Sequence, residues 1–172
     1  MEYKNTLNLP QTDFPMRAGL VQREPERLAK WYADGLYEQI QKRREGAERF
    51  LLHDGPPFAN GDVHIGTALN KILKDFILKY QSLRGKHVPY VPGWDCHGLP
   101  IEFKVTQKMR KAGNTDATPA AIRKACEKYA LGFIDKQREQ FKRLGVLGEW
   151  DKPYLTLNPE YEAEELRLFA DL

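Results

Sequence analysis

Cysteine is scarce in this sequence. Cys96 and Cys126 are its two thiols, and no CxxC pairing joins them, so they build neither a zinc knuckle nor a disulfide framework. Two isolated thiols suit a reducing cytosol. Long hydrophobic runs are also missing: every apolar stretch falls well short of the ~20 residues that a membrane-spanning helix needs. The opening segment, Met1 to Gly19, is polar and broken by Pro10 and Pro15. With no basic segment followed by an apolar one, it is not a secretory signal. Nor is there an excess of one charge. Lys plus Arg number 27 against 24 for Asp plus Glu, a net charge of +3 that suits a mixed-charge surface as well as a polyanionic partner. No internal repeat or low-complexity segment stands out. These absences predict a soluble, cytoplasmic protein with no membrane partner, and 172 residues are enough for one hydrophobic core.

What is present divides into an N-terminal arm with a helix (1–47) and an α/β region (48–172). The first 22 residues or so read as irregular. From Glu24 onward Leu28, Trp31, Tyr32, Leu36, Tyr37 and Ile40 recur at helical steps, and Lys42-Arg43-Arg44 suits a last turn before Gly46. Phe50-Leu51-Leu52-His53 reads as a short buried strand, stopped by Asp54-Gly55-Pro56-Pro57. In the long helix that follows, Ile65, Leu69, Ile72, Leu73, Phe76, Ile77, Tyr80 and Leu83 form a broad apolar face. Lys71, Lys74, Asp75 and Lys79 fall largely opposite. Gly85 ends it, and His87–Val91 reads as a second strand, with Pro89 favouring an edge or a bulge.

Strand, loop, helix and strand make a βαβ unit with a parallel sheet. In such sheets ligands bind where loops leave the carboxyl ends of the strands. The loops 54–62 and 92–100 are therefore expected to face one crevice. Further on, Thr118-Pro119 opens a helix burying Ile122, Ala125, Tyr129, Phe133 and Leu144, and Asn158-Pro159 opens another. The chain stops inside the apolar pattern of that last helix, which reads as a truncation.

Two segments carry chemistry. His64-Ile65-Gly66-Thr67 occupies the first turn of the long helix, where free N–H groups and the helix dipole favour a phosphate. A histidine there can donate to phosphate oxygens, though alone it is as readily a helix cap. Gly66 removes a side chain that would keep a flat ring off the backbone. In the second loop, Asp95 stands beside Trp94 in a glycine- and proline-constrained stretch with no local Lys or Arg. A carboxylate so placed needs a cation, which an α-ammonium group would supply, unless it caps the helix starting near Leu99.

The segment from Leu52 to Thr67, LHDGPPFANGDVHIGT, resembles the strand-to-helix signature of class I aminoacyl-tRNA synthetases, which ends His-x-Gly-His. Thr67 departs from that pattern: its hydroxyl can donate one hydrogen bond but carries no charge. Gly93-Trp94-Asp95-Cys96-His97-Gly98-Leu99-Pro100-Ile101-Glu102 is similar to the loop of the isoleucine-specific members, as are Asn70–Asp75, Arg143–Val146 and Tyr3–Pro10. The likeness covers essentially the whole chain.

The resemblance implies the first half of a Rossmann-like catalytic domain. The reaction would be ATP-dependent activation of L-isoleucine to isoleucyl-adenylate, then transfer to tRNA(Ile), by a longer protein expected to be monomeric. It implies catalytic roles for His64 and Thr67, ATP contacts at Pro57, Asn60, His64 and Gly66, and isoleucine contacts at Gly55, Pro56, Trp94 and Asp95. Mg2+ would accompany ATP, and no metal ligand is expected in this chain. The family's Zn2+ site, editing domain and Lys-Met-Ser-Lys-Ser loop have no match here. Lys108-Met109-Arg110-Lys111 sits on an expected helix and is not that loop. Without it these residues alone are expected to be inactive. A non-catalytic nucleotide- or tRNA-binding module and a small nucleotidylyltransferase are the competing readings, and the isoleucine-type loop argues against the latter.

Overall fold

The computed structural model describes residues 3–8, 11–13, 17–114 and 116–172. Pro10 and Pro15 lie outside the described residues. After a short 3-10 turn, Tyr3–Thr6, come α1 (Leu20–Ala33) and α2 (Leu36–Arg43). They are two helices where the periodicity predicts one. Gly35 separates them with φ 60°, a left-handed conformation open to glycine, and the chain turns there. Then follow α3 (Ile65–Leu83), β1 (Gly93–Trp94), α4 (Leu99–Lys111), α5 (Pro119–Arg143), β2 (Tyr154–Leu155) and α6 (Pro159–Ala170). Thr118 caps α5 as its sequence predicts, its hydroxyl accepting from the Ala121 N–H at 3.3 Å.

The extended segments run parallel, as the βαβ reading requires, but their pairing is sparse. β1 pairs with β2 in the register Gly93 to Tyr154 and Trp94 to Leu155. Neither expected strand, Phe50–His53 or His87–Val91, forms as a strand; a parallel bridge joins Arg49, just ahead of the first, to His87, and another joins Phe58 to Asp95. Prolines explain the thinness. Pro56, Pro57, Pro89 and Pro92 bring no N–H donor to the ladder, so pairing survives only between them.

Trp94, Phe141 and Trp150 form the aromatic centre of the core, with Tyr90, Ile101, Val105, Ala130, Ile134 and Val146 around them. On α5 the fully buried positions are Ala130, Ile134, Gln137 and Phe141. Tyr129 and Phe133 are only half-buried and Leu144 is exposed, so the buried stripe is rotated about one position from the expected one. Burial on α3 departs further from expectation. Lys71, Asp75 and Leu78 are buried, whereas Leu69, Leu73, Phe76, Ile77 and Tyr80 are exposed. The helix turns its charged stripe inward. Those charges are paired there: Lys71 with Asp54, and Asp75 with Lys79 and the Leu147 N–H. The α1–α2 pair docks on the same side through Tyr37, whose hydroxyl accepts from the Tyr90 N–H at 2.9 Å and lies 3.3 Å from the Tyr90 carbonyl.

Candidate functional site

The two loops singled out in the sequence lie side by side. The Asp95 N–H donates to the Pro57 carbonyl at 2.9 Å, and the Ala59 N–H donates to the Asp95 carbonyl at 2.8 Å. Asn60 closes the far end, its Nδ2 donating to the Pro100 carbonyl at 3.0 Å. A polar stripe of α5 holds the first loop from beneath. Tyr129 donates to Asn60 Oδ1 at 2.9 Å, and Gln137 Nε2 donates to the carbonyls of Phe58 and Gly61 at 3.1 and 2.9 Å. Gln140 accepts from the Val63 N–H at 2.9 Å and donates to Asp62 at 2.7 Å. One helix face thus sets the path of the chain from Phe58 to Val63, just before α3 begins.

Pro56 and Asp95 line one open cleft of about 780 Å³, bordered on its other side by Thr156 and by α6 through Tyr161, Glu165, Leu166 and Phe169. That volume lies within the range of ligand pockets, roughly 300–1,000 Å³. Asp95 is half-buried, and one of its oxygens accepts from the His97 N–H at 3.2 Å. It does not cap α4, whose N-cap is Gly98 without a side-chain bond. Among the described residues no Lys or Arg pairs with it within 4.0 Å, although other carboxylates of the chain have such partners. A carboxylate with spare acceptor capacity, in a cavity lined by Pro56, Leu166 and Phe169 as well as by Glu162 and Glu165, suits a small molecule that carries an ammonium and an aliphatic group.

At the head of α3, His64 is the N-cap. Its Nδ1 accepts from the N–H groups of Gly66 and Thr67 at 3.1 and 3.3 Å, and its Nε2 lies 3.0 Å from Thr67 Oγ1. With Nδ1 accepting, the neutral ring carries its proton on Nε2 and donates it to Thr67, leaving the Thr67 O–H free to donate onward. Gly66 makes room for the ring: a Cβ there would stand 3.1 Å from His64 Cε1. The imidazole is exposed and covers the first-turn amides that an anion would use.

Two residues expected to touch ligand have their side chains engaged within the protein. Trp94 is fully buried, its indole N–H donating to Gln137 Oε1 at 2.9 Å, so its side chain belongs to the core and faces no cavity. An aromatic beside a candidate carboxylate reads as pocket wall, but the backbone of β1 turns it inward. Asn60 spends its amide oxygen and an amide hydrogen on the loop bonds given above. Pro57 contributes its carbonyl to Asp95, and Gly55 is exposed with its carbonyl 3.3 Å from Lys74 Nζ. Cys96 is buried, and burial pushes its thiol above the ordinary range, away from nucleophilic use.

The group that sequence reasoning missed is Asp54. Its side chain is wholly buried, paired with the equally buried Lys71 and, at 2.8 Å, with Lys74. It also accepts from the Gly93 N–H at 2.9 Å. Burial alone would raise its pKa, but Lys71's charge and the hydrogen bonds from Lys71, Lys74 and Gly93 hold it below the usual carboxylate range. Lys71 donates further to the Tyr90 hydroxyl at 3.1 Å. Tyr154 donates to the Asp54 carbonyl and lies over Gly93, where a Cβ would come within 2.0 Å of its ring. Burial and the nearby Asp54 charge push the Tyr154 hydroxyl up to about 12. The available signal was a pair of lysines at i, i+3 on α3 facing a lone Asp at a strand end.

Comparison with known proteins agrees with this architecture. The family described as tRNA synthetases class I (I, L, M and V) matches residues 26–172. An isoleucine–tRNA ligase of Kosmotoga olearia is 56% identical over all 172 residues, which are 19% of its own length. One from Alkalilimnicola ehrlichii is 60% identical over 166 residues, covering 96% of this chain and 18% of the relative. This chain therefore spans about a fifth of the relatives it matches. A crystal structure of a ternary complex of LeuRS from Agrobacterium radiobacter K84 with tRNA and LeuAMS aligns with a TM-score of 0.66 at 26% identity, over 91% of this chain and 18% of that one. With its parallel βαβ frame, its two abutting loops and a family match over most of its length, the chain belongs to the class I tRNA synthetases of the isoleucine, leucine, methionine and valine group.

Proposed function

We propose that this chain forms one half of an adenylate-forming site for L-isoleucine in an isoleucine–tRNA ligase. The observation that carries the reading is the Asp95 carboxylate, half-buried and without a Lys or Arg partner among the described residues, in the same cavity as Pro56. Asp95 holds the α-ammonium group while Pro56 and Gly55 border the aliphatic side chain. The isoleucine carboxylate, already ionised at neutral pH, attacks the ATP α-phosphate in line and needs no general base from the protein. Pyrophosphate leaves, and the adenylate then passes its acyl group to the 3′-terminal adenosine of tRNA(Ile).

ATP lies across the head of α3. Its phosphates take the first-turn amides of Gly66 and Thr67 once the exposed His64 ring swings off them, and His64 Nε2–H and the Thr67 hydroxyl donate to the oxygens where charge builds up. Mg2+ accompanying ATP would offset phosphate charge, and no side chain of this chain is assigned to hold it. Pro57 and Asn60 act through loop position, and Trp94 acts through the core that fixes Asp95. The names of relatives 56% and 60% identical to this chain support isoleucine over the other amino acids of the family.

Isoleucine-dependent ATP–pyrophosphate exchange tests the reading, run on the protein at natural full length and on these 172 residues. Exchange is expected from the full-length protein alone, and Asp95→Ala should abolish it. An intact full-length protein with no isoleucine-dependent exchange would refute the proposal. ATP binding without exchange would favour a nucleotide-binding module instead.

A further inference from the structure

Asp54 and the two lysines of α3 stand behind the proposed isoleucine cavity rather than in it. They are costly as a stabilising device. Two charges withdrawn from water recover their desolvation only with close geometry, and apolar side chains of equal volume commonly serve stability as well or better. Their hydrogen bonds lead to segments that carry the site. Asp54 holds the Gly93 N–H, two residues ahead of Asp95. Lys74 bridges Asp54 Oδ1 at 2.8 Å and the Gly55 carbonyl at 3.3 Å, one residue ahead of Pro56. Lys71 joins Asp54 to the Tyr90 hydroxyl, at the entry to the second loop. Tyr154, donating to the Asp54 carbonyl, rests on Gly93 from the third extended segment.

We infer that Asp54 and Lys74 are positioning residues that set the separation between the Pro56 wall and the Asp95 carboxylate, and with it the selection of the amino-acid side chain. This rests on the proposed function and deepens it. The two walls reach the cavity on different loops, joined at their tips by backbone bonds between Pro57, Ala59 and Asp95. Behind the tips, one carboxylate ties both loops to the same two turns of α3. A shift of Asp54 therefore moves the ammonium site and the apolar wall relative to each other, while α3 itself, with His64 and Thr67 at its head, stays in place. Lys74 is the informative residue because it is partly exposed. Removing it frees the Gly55 carbonyl yet leaves Asp54 paired with Lys71 and Gly93.

The test uses the full-length protein, with Lys74→Met, Lys74→Arg and Asp54→Asn assayed by isoleucine-dependent pyrophosphate exchange, valine as competing substrate, and thermal unfolding. Displacements near 1 Å cost up to about 100-fold in rate, so Lys74→Met should raise KM for isoleucine by about 10- to 100-fold and narrow the preference over valine. KM for ATP and the unfolding midpoint should stay near the parent, and Lys74→Arg should restore much of the loss. Unchanged isoleucine KM and selectivity would overturn the inference. So would equal losses for isoleucine and ATP with a lowered midpoint in Lys74→Met, since that pattern belongs to a purely structural contact. If the parent itself shows no exchange, the proposed function fails separately. The positioning role is then read from amide hydrogen exchange, which must accelerate at Gly93 in Asp54→Asn and at Asp95 in both Asp54→Asn and Lys74→Met, or the inference falls too.

Discussion

Replacing Asp54 with Asn should be among the most damaging single changes in this chain. The substitution keeps shape and one acceptor but removes the charge, leaving Lys71 with a side chain 1% exposed, a tyrosine hydroxyl at 3.1 Å and the Phe141 ring at 5.1 Å for company. Stripping one partner from a buried pair costs about 3–5 kcal/mol. In a chain of this size each kcal/mol moves the midpoint by about 2–4 °C, so a drop on the order of 6–20 °C follows. Lys71→Met should cost less, about 1–3 kcal/mol, because Asp54 keeps Lys74 and the Gly93 N–H. Urea denaturation followed by circular dichroism, with the double variant closing a thermodynamic cycle, measures both costs and their coupling. The two losses should be far from additive.

The pH dependence carries a sign of its own. Asp54 has its carboxyl held below the ordinary range, so between the folded and unfolded pKa values the unfolded chain binds more protons. Its contribution is complete above the unfolded value of about 3.9 and is lost as pH falls through the folded one. Asp54→Asn should lack that acid-side slope. A cost below about 1 kcal/mol for Asp54→Asn, or an acid limb unchanged from the parent, would refute the view that the inward charge of Lys71 is held by this carboxylate.

Two further predictions come from close contact and from exposure. Gly93→Ala places a methyl within 2.0 Å of the Tyr154 ring, so it should cost at least the ~1–3 kcal/mol of an overpacked core, with part recovered by adding Tyr154→Leu; unfolding measurements on the pair decide. The outward face of α3, with Leu73 51% and Phe76 63% exposed, should make these 172 residues self-associate in a concentration-dependent way visible by light scattering. Leu73→Glu with Phe76→Glu should shift them toward monomer with little change in midpoint, and a monomeric parent with a sharp transition would contradict this.

The contrast between α3 and the two loops shows what can be read from a sequence of this kind. That the loops 54–62 and 92–100 meet follows from parallel strand direction, because both leave the carboxyl ends of parallel segments and so reach the same edge. Their contact through Pro57, Ala59 and Asp95 agrees with that rule. The helix itself was equally legible, since eight apolar residues at three- and four-residue steps specify helical periodicity wherever the stripe points. Its orientation was not. Periodicity gives the angle between apolar and charged faces but not which of them meets the core, and hydrophobicity normally supplies that answer. Here Lys71 reaches Asp54 across seventeen residues and Asp75 reaches Leu147 across seventy-two, partners that no local pattern announces.

Trp94 and Asn60 are a related case. Both belong to segments whose motif is about the site, yet their side chains serve the frame, the indole bonding Gln137 and the amide bonding Pro100 and Tyr129. A motif marks the chain segment that chemistry requires, not the direction of each side chain within it. In an extended segment that direction alternates, so the inward turn of Trp94 is the counterpart of the half-exposed carboxylate of its neighbour Asp95. The core tryptophan and the ligand-facing aspartate are thus one structural decision: the same strand that buries the indole aims the carboxylate at the cavity. A change that loosens the indole, such as removal of Gln137, should therefore disturb Asp95 before it disturbs the helices.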